Sequence, residues 1–398
     1  MIPIQNLNGN IALLKSIFKM LFIYIGLLAT ATMAIAANPH ILVDVNSGEI
    51  LSQSGANDRW YPASLTKLMT VYITFRAIAA GELEEGSPVI ISKLASRQPP
   101  SKMGYKAGTR IRVDTALKIT VVKSANDVSV ALAEAVAGNM KNFVARMNKE
   151  ARRLGLINTH FVNSNGLHSK DQYSSARDMV FLSAQILREF PRYAYLFAAP
   201  TLKTAKKSYY SYNLLLERFP GANGMKTGFV CASGYNMVAS AKRGGKFLLA
   251  AVMGRASQTE RAVAAAKLLT KGFEGNLSST GNLYTGTPSK GRKAKNMRPI
   301  ICTPQARKKR YDPAGGKAVI KSAYLIKQAK FGNALKIKVG GIDGKTSDAY
   351  LSQKYRFAGK IPVPIKRPRY VLLNVDGDEI AKPIAIRGAI PVPVYRPG

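Results

Sequence analysis

Apolar and polar positions follow two different periods along this chain. Near its beginning, short apolar runs at 41–45 and 50–52 flank the turn tripeptide Asn46-Ser47-Gly48 and predict a β-hairpin. Further along, apolar residues recur at helical spacing. The helices predicted from this spacing cover residues 64–80, 114–138 with a break near 123–126, 141–154 and 177–190.

The strand pattern returns in the middle of the chain. Residues 224–229, 235–241 and 246–253 predict successive antiparallel strands, and Lys242–Gly245 is a favourable turn between the last two. Residues 257–273, rich in Ala and Leu, predict a closing helix. A hairpin, a run of helices, a meander and a last helix predict an α/β (α+β) domain. We expect the hairpin to join the later strands in one sheet.

The first residues have the layout of a secretory signal. Lys15 and Lys19 precede an apolar run from 20 to 36 that ends in Ala34-Ile35-Ala36, small residues at the spacing a signal peptidase recognises. A retained membrane anchor is the alternative, but the run is short for a spanning helix and lacks a stop-transfer flank. We therefore predict a signal peptide over 1–36 and an exported protein.

Composition adds one strong constraint, the charge. The chain of 398 residues is long enough for two domains, and its formal net charge is +37. Such an excess indicates an anionic partner, which could be a nucleic acid, an acidic polymer or an acidic membrane surface. Because export argues against nucleic acid, we expect the positive surface to meet anions of the cell envelope.

The character of the chain changes at Gly275. From there to the end it holds 25 Lys and Arg against 6 Asp and Glu, a net charge of +19. We predict a basic linker, partly disordered, over 275–317 and a basic, proline-containing region over 318–398 that holds a small β module. Its charge is either a solvated surface or an adhesive one, and the second interpretation is slightly favoured.

Cysteine and histidine contribute little chemistry. Cys231 and Cys302 form no Cys-x-x-Cys pair, and whether they bond to each other stays open at this point. The three histidines have no metal-site spacing, so a zinc site is not expected.

Three short motifs carry the chemical signal. Ser64-Leu-Thr-Lys67 stands at a predicted helix start, Ser124-Ala-Asn126 at the break between helices, and Lys226-Thr-Gly228 on a predicted strand. Each is weak alone, since serine is also an ordinary helix-capping residue. In this order and on these elements, the three together indicate a serine nucleophile with a lysine base.

The chain resembles the D-alanyl-D-alanine carboxypeptidases, the low-molecular-mass penicillin-binding proteins. The likeness runs from His40 to Phe273, and the stretches that carry it are 61–67, 124–134, 173–179 and 223–229. It implies a β-lactamase/transpeptidase-like domain over 37–274, with an antiparallel sheet flanked by helices. It departs from the common pattern at Asn223, Val230 and Asn165, where relatives often have Asp, Thr and His.

The resemblance implies a role for each motif residue. Ser64 would be the nucleophile and Lys67, one helical turn away, its base. Lysine must be neutral to accept a proton, and burial together with the nearby cation Lys226 would lower its pKa. Ser124 would relay a proton towards the leaving group, and Asn126 would hold the substrate amide and Lys67.

Four more residues are expected to bind substrate. The backbone N–H groups of Ser64 and Phe229 would stabilise the oxyanion. Gly228, without a side chain, would let substrate lie along the strand edge as an added strand. With Lys226, Thr227 is a candidate to hold the terminal carboxylate. Arg261 resembles the family's carboxylate-binding arginine in position, and a surface helix residue is an equally good interpretation.

The predicted activity is removal of the terminal D-alanine from peptidoglycan stem pentapeptides through an acyl-enzyme that penicillin also forms. No metal or organic cofactor is required, and the location would be the periplasm or, peripherally, the outer face of the cytoplasmic membrane. A β-lactamase is disfavoured because no Glu-x-x-Leu-Asn segment follows Asn126 and the middle residue is Ala125. A D,D-endopeptidase and a basic wall-binding scaffold on the same fold stay open.

Overall fold

The computed structural model describes residues 38–205, 207–309, 320–327, 329 and 332–337. The predicted signal peptide over 1–36 and most of the predicted C-terminal region, from 338 onwards, lie outside the described residues. The strands are β1 His40–Asp44, β2 Ile50–Ser54, β3 Pro88–Ile90, β4 Arg110–Arg112, β5 Thr201–Lys203, β6 Ser208–Tyr210, β7 Ala222–Val230, β8 Gly234–Arg243, β9 Lys246–Arg255 and β10 Leu335–Lys336.

The α-helices are α1 Lys67–Ala79, α2 Lys93–Ser96, α3 Val113–Lys118, α4 Asn126–Ala137, α5 Met140–Arg153, α6 Ala176–Glu189, α7 Ala194–Phe197, α8 Leu215–Arg218, α9 Gln258–Glu274, α10 Arg298–Ile301 and α11 Pro304–Lys309. A 3-10 turn, Ala63–Thr66, leads into α1, and a π turn, Ile119–Lys123, follows α3. None of the helices in the described part of the chain is long and apolar enough to cross a membrane.

Five antiparallel strands form the central sheet, in the order β2-β1-β9-β8-β7. The β1–β2 hairpin pairs with β9, with His40 opposite Val252, so the expectation that it completes the sheet is confirmed. β7 pairs with β8 along its whole length, and among the described strands its other edge is unpaired. Two small sheets, β3-β4 and β10-β5-β6, lie outside this layer.

The central sheet is buried on both faces, as the alternation of its side chains requires. Along β9, Leu248 and Ala250 belong to the core shared with α9, while Leu249 and Ala251 belong to a larger core with α1, α4 and α6. α9 begins where the Ser257 hydroxyl accepts from a backbone N–H at 3.1 Å and ends at Gly275, whose φ is +82°. The predicted α+β domain, a sheet between helical layers, is thus confirmed.

The predicted break in the second helical segment is also present. α3, the π turn and α4 follow one another, and the chain leaves the π turn through Ser124, whose φ of +60° and ψ of +34° are left-handed. The Ser64 segment differs in detail from the prediction, because Ser64 lies in the 3-10 turn and the α-helix begins at Lys67.

The predicted linker after Gly275 lies on the domain surface over its described part, up to residue 309, and its partial disorder stays a prediction. The Arg177 guanidinium donates to the Gly286 carbonyl at 2.8 Å, and Asn158 Nδ2 donates to the Ser289 carbonyl at 2.8 Å. Composition alone indicated disorder, because a local composition does not reveal hydrogen bonds to residues more than 100 positions earlier in the chain. We call residues 276–309 the C-terminal segment.

A disulfide between Cys231 and Cys302 fastens the C-terminal segment to the end of β7. The two cysteines are 71 residues apart in sequence. Closing so long a loop restricts the unfolded chain considerably, so the bond is expected to stabilise the folded state.

We expect the double substitution Cys231→Ser, Cys302→Ser to lower the free energy of unfolding by up to about 4 kcal/mol, the loop-entropy value for this separation. Urea denaturation followed by circular dichroism measures the change. Reduced wild type should match the double variant, and reductant should leave the double variant unchanged. An unaltered urea midpoint in the double variant would contradict the expectation.

Candidate active site

Ser64 and Lys67 meet where the 3-10 turn becomes α1. The Lys67 Nζ lies 3.0 Å from the Ser64 hydroxyl oxygen. Ala63, just before the serine, has a φ of +48°. In the described part of the chain, Ala63 and Ser124 are the only residues other than glycine with positive φ, and strained backbone of this kind concentrates at functional sites.

The Lys67 amine has two further partners, both oxygens that cannot donate a hydrogen. It donates to Asn126 Oδ1 at 2.8 Å and to the backbone carbonyl of Asn165 at 2.6 Å. These contacts come from α4 and from the loop before α6, and Lys67 is only 1% exposed. The position of the amine is therefore fixed by three separate parts of the chain.

Lys67 is a weak cation in this setting. Burial lowers its pKa well below the ordinary value, and the positive charge of Lys226 lowers it further, against an opposing effect of the Asp127 carboxylate. The expectation that burial and Lys226 would depress the Lys67 pKa agrees with this direction. The amine can then take up a proton from a neighbouring hydroxyl.

Ser124 joins the second lysine to the same cluster. The Lys226 Nζ on β7 donates to the Ser124 hydroxyl at 2.9 Å and to the backbone carbonyl of Thr227 at 3.1 Å. Burial, with the charge of Arg261, lowers the pKa of Lys226 to about 7. The left-handed backbone at Ser124 is what turns its side chain away from the path of the helix and towards β7.

Arg261 is a buried residue of α9, which rules out the surface interpretation. It is 2% exposed, its guanidinium donates to the Tyr212 carbonyl at 2.7 Å, and its Nε has no hydrogen-bond partner among the described residues. Burial lowers its pKa to about 9. A buried cation of this kind beside Lys226 is chemically suited to receive an anion.

Asn126 has both ends of its amide engaged. Its Oδ1 accepts from Lys67, as expected, and its Nδ2 donates to the Pro99 carbonyl at 2.9 Å rather than facing open space. The residue thus ties the lysine to the loop between α2 and β4. An amide nitrogen carries two hydrogens, so the expected contact with a substrate amide stays a prediction.

Gly228 has a different structural reason from the one expected. A Cβ at this position would lie 2.8 Å from the Pro62 carbonyl oxygen and 2.9 Å from the Ser64 nitrogen. The glycine is therefore needed because β7 packs directly against the backbone of the serine turn. Thr227 is 6% exposed beside it, and the Phe229 ring stacks on Tyr235 with 4.2 Å between centroids.

Sequence reasoning missed the loop that supports the lysine. Gly166, with a φ of +87°, would place a Cβ 1.9 Å from the Ala63 carbonyl oxygen. Asn165 beside it contributes a backbone atom, which leaves no mark in the residue type. The signal available was the Ser-Asn-Gly sequence at 164–166, which is typical of a tight turn.

Asp127 was also missed. Its carboxylate is fully buried and accepts from the backbone N–H groups of Met103 at 3.0 Å and Gly104 at 2.8 Å. It thereby holds the loop that carries Pro99 close to the two lysines. An acidic residue directly after Asn126 in the printed sequence was the available signal.

The chemistry of the site is that of a nucleophile, a base and buried cations. Among the described residues, no group of three or more His, Cys, Asp and Glu side chains could hold a metal ion. The sequence matches the D-alanyl-D-alanine carboxypeptidase family, peptidase S11, over residues 27–257. This chain belongs to the peptidase S11 family.

Individual members of the family are similar in sequence and fold. The D-alanyl-D-alanine carboxypeptidase DacA of Haemophilus influenzae is 39% identical over 244 residues, which cover 60% of this chain and 62% of that protein. The chain thus matches about three fifths of the length of this curated relative.

Two solved structures show the same fold. Penicillin binding protein 5 from Haemophilus influenzae aligns with a TM-score of 0.57 and 37% identity, covering 62% of this chain and 73% of that one. Penicillin-binding protein D2 from Listeria monocytogenes, solved in a cefotaxime-bound form, aligns with a TM-score of 0.55 and 28% identity, covering 61% and 100%. The sheet and helices described above are therefore the penicillin-binding protein fold that the motifs indicated.

We predict that Gly166→Ala destabilises the protein much more than Gly155→Ala. Both glycines have positive φ, +87° and +67°, so both substitutions strain the backbone, by about 1–2 kcal/mol. Only at Gly166 would the new methyl also meet backbone atoms, which adds about 1–3 kcal/mol. Urea denaturation of the two variants measures the difference, and equal losses would contradict the assigned contact.

Proposed function

We propose that this protein is a serine-type D-Ala-D-Ala carboxypeptidase that acts on peptidoglycan stem peptides through an acyl-enzyme on Ser64. The observation that carries the proposal is the arrangement of hydrogen-bond partners around Lys67. A neutral amine has two N–H bonds and one lone pair. Asn126 Oδ1 and the Asn165 carbonyl occupy the two N–H bonds, so the lone pair faces the Ser64 hydroxyl.

The first step follows from this geometry. Lys67 takes the hydroxyl proton of Ser64 as the oxygen attacks the carbonyl carbon of the penultimate D-alanine. The backbone N–H groups of Ser64 and Phe229 stabilise the negative oxygen that forms. The close packing of Gly228 on the serine turn supports this pairing, because it brings β7 next to the Ser64 nitrogen.

Collapse of the intermediate requires a proton for the leaving amine. Ser124 is the group we assign to this relay, since its hydroxyl contacts Lys226 at 2.9 Å and lies in the same cluster as Lys67. The peptide C–N bond breaks, D-alanine leaves with that proton, and the acyl group stays on Ser64. Water then hydrolyses the ester and restores the serine.

Selection of a free C-terminus is the task of the buried cations. We assign the terminal carboxylate of the substrate to Lys226 and Thr227, in the middle of β7, and to Arg261 beside them. Among the described residues, the Arg261 Nε has no hydrogen-bond partner and no carboxylate forms an ion pair with Arg261, which supports an anion at this place. The substrate would then lie antiparallel along the unpaired edge of β7.

β-Lactams are the inhibitors that this site is expected to bind. A β-lactam presents a strained amide and a nearby carboxylate, and so offers Ser64 the same two groups as the peptide. The cefotaxime-bound relative supports this part of the proposal. A D,D-endopeptidase would use the same chemistry, so the two activities are separated below by the product they release.

The setting of the protein in the cell is the last part of the proposal. We propose export to the periplasm or to the outer face of the cytoplasmic membrane, supported by the apolar leader and its small-residue end. The net charge of +19 after residue 275 supports contact with anionic polymers or head groups of the envelope. Such contact should weaken as salt is added.

We expect one molecule of benzylpenicillin to attach to each molecule of wild-type protein and none to Ser64→Ala. The adduct should persist, because no residue of the described site is assigned to rapid deacylation. Intact mass spectrometry detects it, and Ser47→Ala, an exposed hydroxyl on the β1–β2 turn, is the matched control. A folded wild-type protein without an adduct would overturn the proposal, and rapid turnover of the adduct would indicate a β-lactamase.

Product analysis separates the two peptidase activities. With a stem pentapeptide as substrate, free D-alanine should appear with wild type and not with Ser64→Ala. Cleavage of a D,D-crosslinked dimer without release of D-alanine from the pentapeptide would favour the endopeptidase.

The acylation rate should depend on pH through Lys226. If the protonated lysine binds the carboxylate, the second-order acylation rate constant falls as pH rises through about 7, the pKa of Lys226 in the free protein. Arg261 lowers that pKa, so Arg261→Gln should move the fall to higher pH while reducing the rate overall. Stopped-flow measurements across pH 5–9 with a fluorescent penicillin give both profiles, and an unshifted alkaline limb in the variant would contradict the coupling.

A further inference from the structure

The wall of the cleft beyond Phe229 includes residues of the C-terminal segment. Cys231, two positions after Phe229, is bonded to Cys302. The backbone N–H of Met297 donates to the Ala232 carbonyl at 2.9 Å. A covalent bond and a hydrogen bond, one at each end, therefore hold α10 beside the end of β7.

α10 brings a positive charge to this wall. Arg298, its first residue, is exposed. The pKa of His168 is lowered first by the burial of its ring, then by the positive charge of Arg298 and then by that of Lys170. His168 packs edge-on against Tyr61 with 4.7 Å between ring centroids. Tyr61, His168 and Val230 line one depression next to the serine turn. Met297, the residue before Arg298, is hydrogen-bonded to Ala232, two positions after Val230, so Arg298 lies near the edge of this depression, which we call the rim.

Neither cation at this rim is neutralised locally. Among the described residues, no carboxylate forms an ion pair with Arg298 or Lys170. A cation without a local counter-charge favours the approach of an anion. The rim is therefore suited to an acidic group that arrives from outside.

The direction of the substrate decides which part of it reaches the rim. The C-terminal carboxylate of the substrate is assigned to Lys226, in the middle of β7, and its reacting carbonyl to Ser64 and Phe229, closer to the last residue of the strand. A peptide that continues antiparallel along β7 must then extend past Val230. The residues on the acyl side of the scissile bond therefore pass the depression beneath Arg298.

We propose that Arg298, held in place by the disulfide and assisted by Lys170, recognises an acidic group on the acyl side of the substrate peptide. The inference rests on the proposed carboxypeptidase function and names a specificity-determining residue for it. The substrate class is an acidic stem peptide rather than a neutral one. The C-terminal segment is thereby part of the binding site, in addition to any contact with the envelope.

Two penicillins that differ by one carboxylate test this directly. The acyl side chain of a penicillin corresponds to the acyl side of the peptide, and carbenicillin is benzylpenicillin with a carboxylate added to that side chain. Second-order acylation rate constants are measured for both in wild type, Arg298→Ala and Arg298→Glu at low ionic strength. Lys149→Glu, which changes an exposed cation on α5, is the matched control.

The ratio of the carbenicillin rate constant to the benzylpenicillin rate constant should fall by up to about fivefold in Arg298→Ala, the range of an exposed ion pair, and further in Arg298→Glu. The benzylpenicillin rate constant should change less than the carbenicillin rate constant in both Arg298 variants, and neither should change in Lys149→Glu. Added salt should reduce the wild-type ratio and leave that of Arg298→Ala nearly unchanged.

Three results would overturn the inference. Unchanged rate constants for both penicillins in both Arg298 variants would mean that the charge does not reach the acyl side. An equal loss for both penicillins would mean that Arg298 supports the fold of the wall and does not discriminate. If wild type fails to react with benzylpenicillin at all, the proposed function itself falls, which is a different result from either of the other two.

Discussion

The structure of the site depends on the burial of one amine. Lys67 is almost wholly enclosed, and a lysine so placed is stable only if its hydrogen-bonding capacity is met by fixed partners. Those partners come from the serine turn, from α4 and from the loop at Asn165, so none of the three can shift without exposing the others' polar atoms. The same enclosure lowers the lysine pKa, which means that the stability requirement and the chemical requirement are met by a single arrangement.

Three basic side chains, Arg261, Lys226 and Lys67, follow one another through this interior, and in the described part of the chain no carboxylate forms an ion pair with any of them. Arg261 lowers the pKa of Lys226, and Lys226 in turn lowers the pKa of Lys67, while Asp127 alone opposes the second effect. Each positive charge makes the next lysine easier to deprotonate. Such an arrangement is unfavourable in an empty site and becomes favourable when an anion enters beside Arg261 and Lys226. A carboxylate-bearing substrate therefore corrects an electrostatic imbalance that folding alone leaves in place.

The sequence was sufficient for the long helices, for the strands of the central sheet and for the meeting of Ser64 with Lys67, because these depend on local features. Strand and helix periods are visible within ten residues, and serine and lysine three positions apart share a helix face wherever they occur. Backbone contributions were not predictable in this way. Three features of the site arise only when distant segments meet: the contact of the Asn165 carbonyl with Lys67, the left-handed backbone of Ser124 and the close approach at Gly228. A backbone carbonyl is present in every residue, so the residue type does not predict which one will contact an amine.

The contacts of the C-terminal segment were not predictable from sequence for a related reason, and they are informative about the site. Composition predicts order from the apolar surface that a segment can bury within itself, and the C-terminal segment has few apolar residues for this. Its order comes instead from partners in the domain, among them Arg177, Asn158 and Cys231, the last of which is bonded to Cys302 of the segment. Since that bond is anchored at the end of β7, the strand that packs against Ser64, a segment of ordinary linker composition becomes part of the cleft wall. A basic segment fixed there acts on whatever passes along β7, whereas the same charges on a free linker would act only on the surroundings of the protein.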